Sequence, residues 1–368
     1  MTTFAHQSEL KKLPIPDLEE TVNRYLEVLK PLQTEAEHKD SIEACNNFLQ
    51  TSGPILQKKL IEYSKTKASY VEQFWYDSYL NYDDPVVLNI NPFVMIEDDP
   101  TPLKSTQISR AASLTASALR FIRALLQTDE QSRHIVVLSR SQFYWFDVLT
   151  DDDELLMNEE DIRRNFKHIV QDSDKTSISD LAKSSFGILT TENRRVWAKL
   201  RLKMKQNKTN NNILKIIDDA LFIIVLDNIA TGDDLTRMAK NFLCGESKLE
   251  NGVQVGTCTN RWYDKLQIIL TKDAKCGINF EHTGVDGHTV LRFASDIYTD
   301  SILRFAKKIN NNSPSLWSSY SPNPELNKSK YINKYNFTPR KLEWELTTDL
   351  SLALRFGGNK VERLDPSE

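Results

Sequence analysis

Apolar positions along this chain switch between two periods, and the switching points mark its elements. Leu18, Val22, Tyr25, Leu26 and Leu29 recur at three- and four-residue spacing and share one helical face. Asp17 follows Pro14 and Pro16 and precedes Glu20 by three residues, the order of a capping box. A helix is therefore predicted from about Leu18, with Pro31 ending it. Further helices are predicted over Ile55–Tyr63, Tyr70–Leu80 and Ala111–Leu126. Runs rich in Ile, Val, Phe and Trp predict strands at His134–Ser139, Phe143–Val148, Leu221–Leu226, Leu266–Thr271 and Gly277–Phe280. A last long helix is predicted over Thr289–Ile309, with Val290, Ala294, Ile297, Tyr298, Ile302, Phe305 and Ile309 as its apolar stripe. Helices interleaved with strands predict an α/β fold. Two Asn-, Lys- and Ser-rich tracts, Lys203–Asn212 and Asn310–Asn336, are predicted as mobile loops.

Composition narrows this little. The 368 residues suffice for two or three domains and a sizeable core, and 27% charged with 40% hydrophobic residues is the profile of a soluble globular protein. A net charge of -4, with no basic cluster interleaved with aromatics, argues against nucleic acid as a partner. No apolar run reaches the ~20 residues of a membrane span. The N-terminal stretch has neither an apolar signal core nor an Arg/Ser-rich amphipathic pattern, and Asp-Pro-Ser-Glu at the end is no peroxisomal address. Cys45, Cys244, Cys258 and Cys276 form no C-x-x-C pair and read as free thiols of a reducing compartment, so a cytoplasmic location is expected, with the mitochondrial surface as the alternative.

The chemistry concentrates in residues 260–287, NRWYDKLQIILTKDAKCGINFEHTGVDG. An apolar run, a turn and a second apolar run lead to Glu281 and His282. His282, Asp286 and Gly287 then spell H-x-x-x-D-G. Imidazole titrates near neutrality, so a histidine placed here is suited to general-base work. Taken alone, such a histidine is more often a satisfied residue of a turn. His288 makes a possible metal cluster with His282 and Asp286 on paper, but supporting ligands are missing and no metal is expected. No phosphate-binding Gly-rich loop, dinucleotide fingerprint or hydrolase elbow occurs. Trp75, Tyr76 and Tyr79, like Phe143–Phe146, read as packing rather than as a cage for a quaternary ammonium.

The segment resembles the second signature of the choline/carnitine acyltransferases. Arg261, Trp262, Asp264, Lys265, Gly277, Glu281, His282, Asp286 and Gly287 fall in register with it. LPIPDLEETVNRYL (Leu13–Leu26) resembles the first signature. FWYDSYL, HIVVLSRSQFYWFDV, GILTTENRRVWAKLR and, faintly, TPRKLEW are similar to further family blocks. Within the family, the fungal carnitine O-acetyltransferase branch is the most similar. The resemblance implies a coenzyme A-dependent acyltransferase fold of the chloramphenicol acetyltransferase type, of which this chain would be the N-terminal half. It implies transfer of an acetyl or short acyl group between coenzyme A and L-carnitine, with His282 as base, acetyl-CoA as co-substrate and no permanently bound cofactor. Asp286 and Gly287 are expected to be orienting or structural. Arg261, Asp264 and Lys265 are expected to form a structural ion-pair cluster, and Thr191 to cap the helix that follows it. Coenzyme contacts are not assigned to residues.

Two departures accompany the resemblance. The family usually carries a longer segment where Leu125–His134 stands. It also has a second domain with a Ser-Thr-Ser motif, and that triplet occurs nowhere in these 368 residues. Residues 1–85 are expected to be a helical segment that would pack on that C-terminal domain, 86–309 an α/β domain with the catalytic histidine, 310–336 a flexible loop, and 337–368 the start of the truncated C-terminal domain. The rival expectations are an inactive relative acting as a binding or regulatory protein, and one half of an activity completed in trans by a C-terminal half.

Overall fold

The structure, a computed structural model, describes residues 6–101, 106–125, 132–311, 313–317 and 331–362. The chain divides into two compact units, Met1–Asn81 and Tyr82–Glu368. Residues 318–330, about half of the Asn/Ser-rich tract, and 126–131 lie outside the described residues.

The first unit is helical: α1 Leu18–Leu29, α2 Glu35–Gln50, α3 Ser52–Ser64 and α4 Glu72–Leu80. Helix α1 has the predicted ends, because the Asp17 carboxylate accepts from the N–H groups of Glu19 and Glu20 at 2.9 and 3.2 Å. The helix α2 has no counterpart in the sequence reading; Thr34 and Glu37 form its reciprocal capping box. Along these four helices only Val22, Cys45 and Gly53 are buried. Tyr25, Val28, Ile55, Leu56, Phe74 and Leu80 are exposed, and an apolar groove of about 400 Å³ lies between Leu18, Phe48, Leu60 and Tyr63.

The second unit is a mixed α/β sandwich. Its elements are α5 Val86–Asn89, β1 Phe93–Ile96, α6 Gln107–Leu125, β2 His134–Ser139, β3 Gln142–Asp147, α7 Glu159–Ser173, α8 Ile178–Ser184, α9 Arg194–Gln206, α10 Lys208–Asp218, β4 Ile223–Leu226, α11 Leu235–Leu243, β5 Leu249–Glu250, β6 Val253–Gln254, β7 Gln267–Leu270, β8 Cys276–Asn279, α12 Gly287–Ile309, β9 Arg340–Leu342 and α13 Thr348–Glu362. Seven strands form one sheet in the order β1-β8-β7-β4-β2-β3-β9. Strands β2, β4 and β7 are parallel and central; β8, β1, β3 and β9 join antiparallel.

Side chains along the central strands alternate between two cores. Ile135, Val137, Ile224, Leu226, Ile268 and Leu270 face α6, α7 and α12, whereas Val136, Leu138, Ile223, Val225 and Ile269 face the layer with α9, α10 and α11. Both faces are covered, which explains why these strands read as continuous apolar runs. One buried ionic cluster ties α12 to α6. Asp300 accepts from Ser117 Oγ at 2.9 Å and Arg304 Nε at 3.0 Å, and Arg120 Nε stands 3.3 Å from its other oxygen. Burial lowers the Arg120 pKa, and the Asp300 charge works against that shift.

The tract Lys203–Asn212 is helical, not a loop. Asn207 ends α9 and its side chain accepts from Asn210 N–H at the start of α10. Asn210 is fully buried, donating to Glu345 O and accepting from Glu345 N–H, both at 2.9 Å. Polar composition misled because these amides serve as caps and tertiary anchors.

Candidate functional site

The hairpin of β7 and β8 delivers His282. Thr271 and Lys275 close its turn through a 3.0 Å backbone hydrogen bond, and Thr271 Oγ1 accepts from Lys275 N–H at 2.9 Å. Ala274 takes the left-handed conformation this turn needs, with φ 67°. Strand β8 lies between β7 and β1, with Asn279 opposite both Gln267 and Phe93. Gly277 is required there for space. A Cβ on it would come within 2.5 Å of the Phe242 ring, which packs against bare backbone.

Because β8 runs against the parallel strands, the chain leaves it at the edge where β2, β4 and β7 begin. Phe280 is buried and donates its N–H to Pro92 O at 3.3 Å. The His282 ring stacks on Phe280, centroids 5.9 Å apart and planes 24° apart. Glu281 turns aside and accepts from Thr283 N–H at 3.0 Å and Thr283 Oγ1 at 2.5 Å. Asp286 is the N-cap residue of α12. Its carbonyl accepts from Thr289 and Val290, while its exposed carboxylate makes no capping bond. At Gly287 a Cβ would sit 4.0 Å from His282 Nε2. The imidazole thus lies, half-buried, over the first turn of α12. The H-x-x-x-D-G residues are therefore gathered into one turn.

Arg261 and Asp264 go elsewhere, and to separate partners rather than to one ion-pair cluster. Arg261 is fully buried. Its guanidinium donates to Asp227 Oδ1 and Oδ2 at 2.7 and 2.8 Å and to the carbonyls of Asn260 and Asn241 at 2.9 Å. Burial opposes its charge, but the Asp227 carboxylate prevails and raises its pKa. Asp264 accepts from Trp197 Nε1 at 2.6 Å and Arg194 Nη1 at 3.0 Å. Lys265 donates to the carbonyls of Asp218 and Ala220, and burial lowers its pKa. Helix α9, in turn, is capped by Asn193 and not by Thr191, whose hydroxyl bonds Ile188 O.

Two buried thiols of this unit are poor nucleophiles. Burial pushes the Cys258 thiol up to about 12 and the Cys276 thiol up to about 11, so neither supplies a thiolate at neutral pH. No disulfide joins any of the four cysteines. Among the described residues no helix is long and apolar enough to cross a membrane.

Several residues that build the site gave little sequence signal. Asp227 is announced only by an acidic residue ending an apolar run. Asn91, Asn241 and Asn279 are isolated polar residues beside apolar ones, and their partners are distant in sequence.

The chain matches the sequence profile described as Choline/Carnitine o-acyltransferase over residues 13–129 and 124–365. It is 38% identical over 440 aligned residues to a Saccharomyces cerevisiae protein named "Putative mitochondrial carnitine O-acetyltransferase", covering 96% of this chain and 62% of the relative. It is 30% identical to the human "Carnitine O-palmitoyltransferase 2, mitochondrial", covering 81% and 53% respectively. A second yeast relative, "Carnitine O-acetyltransferase YAT2", is 28% identical over 86% of this chain and 48% of its own. The chain thus spans between about half and three-fifths of the length of these relatives.

Proposed function

Because this chain belongs to the choline/carnitine acyltransferase family, we propose that it acts in moving an acetyl or short acyl group between coenzyme A and L-carnitine, with His282 as general base. The observation behind this reading is the placement of His282. It follows the β7–β8 hairpin, stacks on Phe280 and stands beside the first turn of α12 with Gly287 toward its Nε2 edge. In one direction neutral His282 takes the proton of the carnitine hydroxyl as that oxygen attacks the thioester carbonyl. Collapse expels the coenzyme A thiolate, which receives the proton back. In the reverse direction the thiol is deprotonated first. No covalent enzyme intermediate and no bound cofactor enter this scheme. A positioned base contributes about 10²–10⁴ in rate.

The mixed sheet is assigned, on this reading, to the coenzyme A-dependent acyltransferase fold related to chloramphenicol acetyltransferase. The exposed apolar residues of the first unit support segment 1–85 docking on a C-terminal domain of the family type. The acyl length follows the yeast relative at 38% identity; the human relative is named for a palmitoyl substrate. Four cysteines without a disulfide fit a reducing compartment, the cytoplasm, and the mitochondrial name of the yeast relative supports the mitochondrial surface as the alternative for fractionation to decide. The second reading, a binding or regulatory protein, is favoured by the same exposed helical faces.

Thiol release from acetyl-CoA with L-carnitine tests the proposal, on this polypeptide alone and with a C-terminal half of the yeast relative added. His282→Ala should lower kcat at least about 10²-fold with little change in KM. A variant with near-normal kcat removes His282 from the base role. Absence of transfer in both arms favours the binding protein.

A further inference from the structure

We propose that Asn279 is a positioning residue for His282. This rests on the reading of His282 as the base. Asn279 ends β8, three residues before His282, and is fully buried between Ile278 and Phe280, opposite Phe93 on β1 and the buried Gln267 on β7. Its Nδ2 donates to the carbonyls of Phe242 and Leu243 at 3.2 and 3.1 Å, two of the carbonyls that the C-terminus of α11 leaves without helical partners. Its Oδ1 accepts from Asn91 Nδ2 at 3.2 Å, and Asn91 also donates to Tyr263 O at 2.8 Å. Two residues before Asn279, Gly277 lets the Phe242 ring press on the strand.

The Asn279 side chain therefore fastens the exit of β8 directly to the end of α11 and to the approach to β1, and through Asn91 to the stretch before β7. Phe280 follows with its N–H on Pro92 O, and His282 stacks on Phe280. Beyond this anchor the next fixed point is the start of α12 at Gly287. His282 lies two residues beyond Phe280 and stacks on it, so the direction of the imidazole depends on where Asn279 holds the strand exit. An apolar residue of equal size would leave the α11 carbonyls buried and unpaired, and they would pull away from β8.

The test needs no turnover. Diethyl pyrocarbonate acylates neutral imidazole, and peptide mass spectrometry follows His282 and the exposed His288 of the same molecule separately. In Asn279→Val the ratio of the two rates should change at least about threefold, the effect of one net hydrogen bond. Asn279→Asp, which keeps the acceptor toward Asn91 but loses both donations, should change it in the same direction. Asn91→Val, which removes the second support, should do so to a smaller extent. A ratio unchanged in these variants while the melting temperature falls would reduce Asn279 to a stability element and overturn the proposal. Should Asn279→Val not fold, the Asn279→Asp and Asn91→Val proteins decide by the same ratio. Loss of the base role would show instead as normal transfer by His282→Ala, with the modification ratio still responding to Asn279.

Discussion

Asp227→Ala should be among the most damaging single substitutions in this chain. Arg261 and Asp227 are both 0% exposed, so the pair has no solvent to soften the loss of one partner. The aspartate supplies two short charge-assisted contacts, at 2.7 and 2.8 Å, and also accepts from Asn260 Nδ2 at 3.1 Å and Asn241 Nδ2 at 2.9 Å. Removing it strands a guanidinium that cannot deprotonate. Breaking a buried pair in this way costs about 3–5 kcal/mol. Arg261→Met should cost less, because the carboxylate keeps both amide donors. The double variant Arg261→Met with Asp227→Leu should fall far short of the sum, since the pair as a whole roughly breaks even against apolar packing. Urea unfolding followed by tryptophan fluorescence reads this directly. Trp262 adjoins Arg261, is buried, and sits 5.6 Å from Trp197 and 6.2 Å from Trp344, centroid to centroid. A cost below about 1 kcal/mol for Asp227→Ala, the value of an exposed pair, would refute the reasoning.

Two further predictions concern stability. Gly187→Ala puts a Cβ 1.9 Å from the Arg261 carbonyl oxygen, where only backbone can yield, so a loss of at least about 2 kcal/mol is expected in the same urea assay; wild-type stability would count against the close approach. Burial lowers the His134 pKa from 6.5, and its Nε2–H bonds Ile216 O at 2.7 Å in the neutral form. The unfolded chain then binds this proton more readily than the folded one, so stability is lost as pH falls below 6.5, with a slope of at most about 1.4 kcal/mol per pH unit. Its strand partner Asp147 has a raised pKa, chiefly from burial, and acts in the opposite sense at more acidic pH. Melting curves of His134→Asn between pH 7 and 5 should be flatter than wild type, and equal slopes would sink the assignment.

What could be read in the sequence was local. The start of α1 followed from Asp17, the strand positions from runs of β-branched and aromatic residues, and the gathering of His282, Asp286 and Gly287 from their spacing across a strand exit and a helix start. Each depends on neighbours within about one helical turn, so sequence order carries it. Ends that depend on distant contacts were misjudged. The helix α6 begins at Gln107 rather than near Ala111, and the buried Gln107 amide bonds the carbonyls of Asp227 and Leu270. The Lys203–Asn212 tract is helix because Asn210 finds Glu345 across 135 residues. The partner of Arg261 is Asp227, 34 residues away, and not Asp264 beside it. Asn279 meets Asn91 across 188 positions. Such pairs exist only after the strand order β1-β8-β7-β4 and the layers above it have brought α11 and the approach to β1 to one end of β8. Periodicity names the buried face of each element, but which elements share that face is a property of the packed tertiary structure.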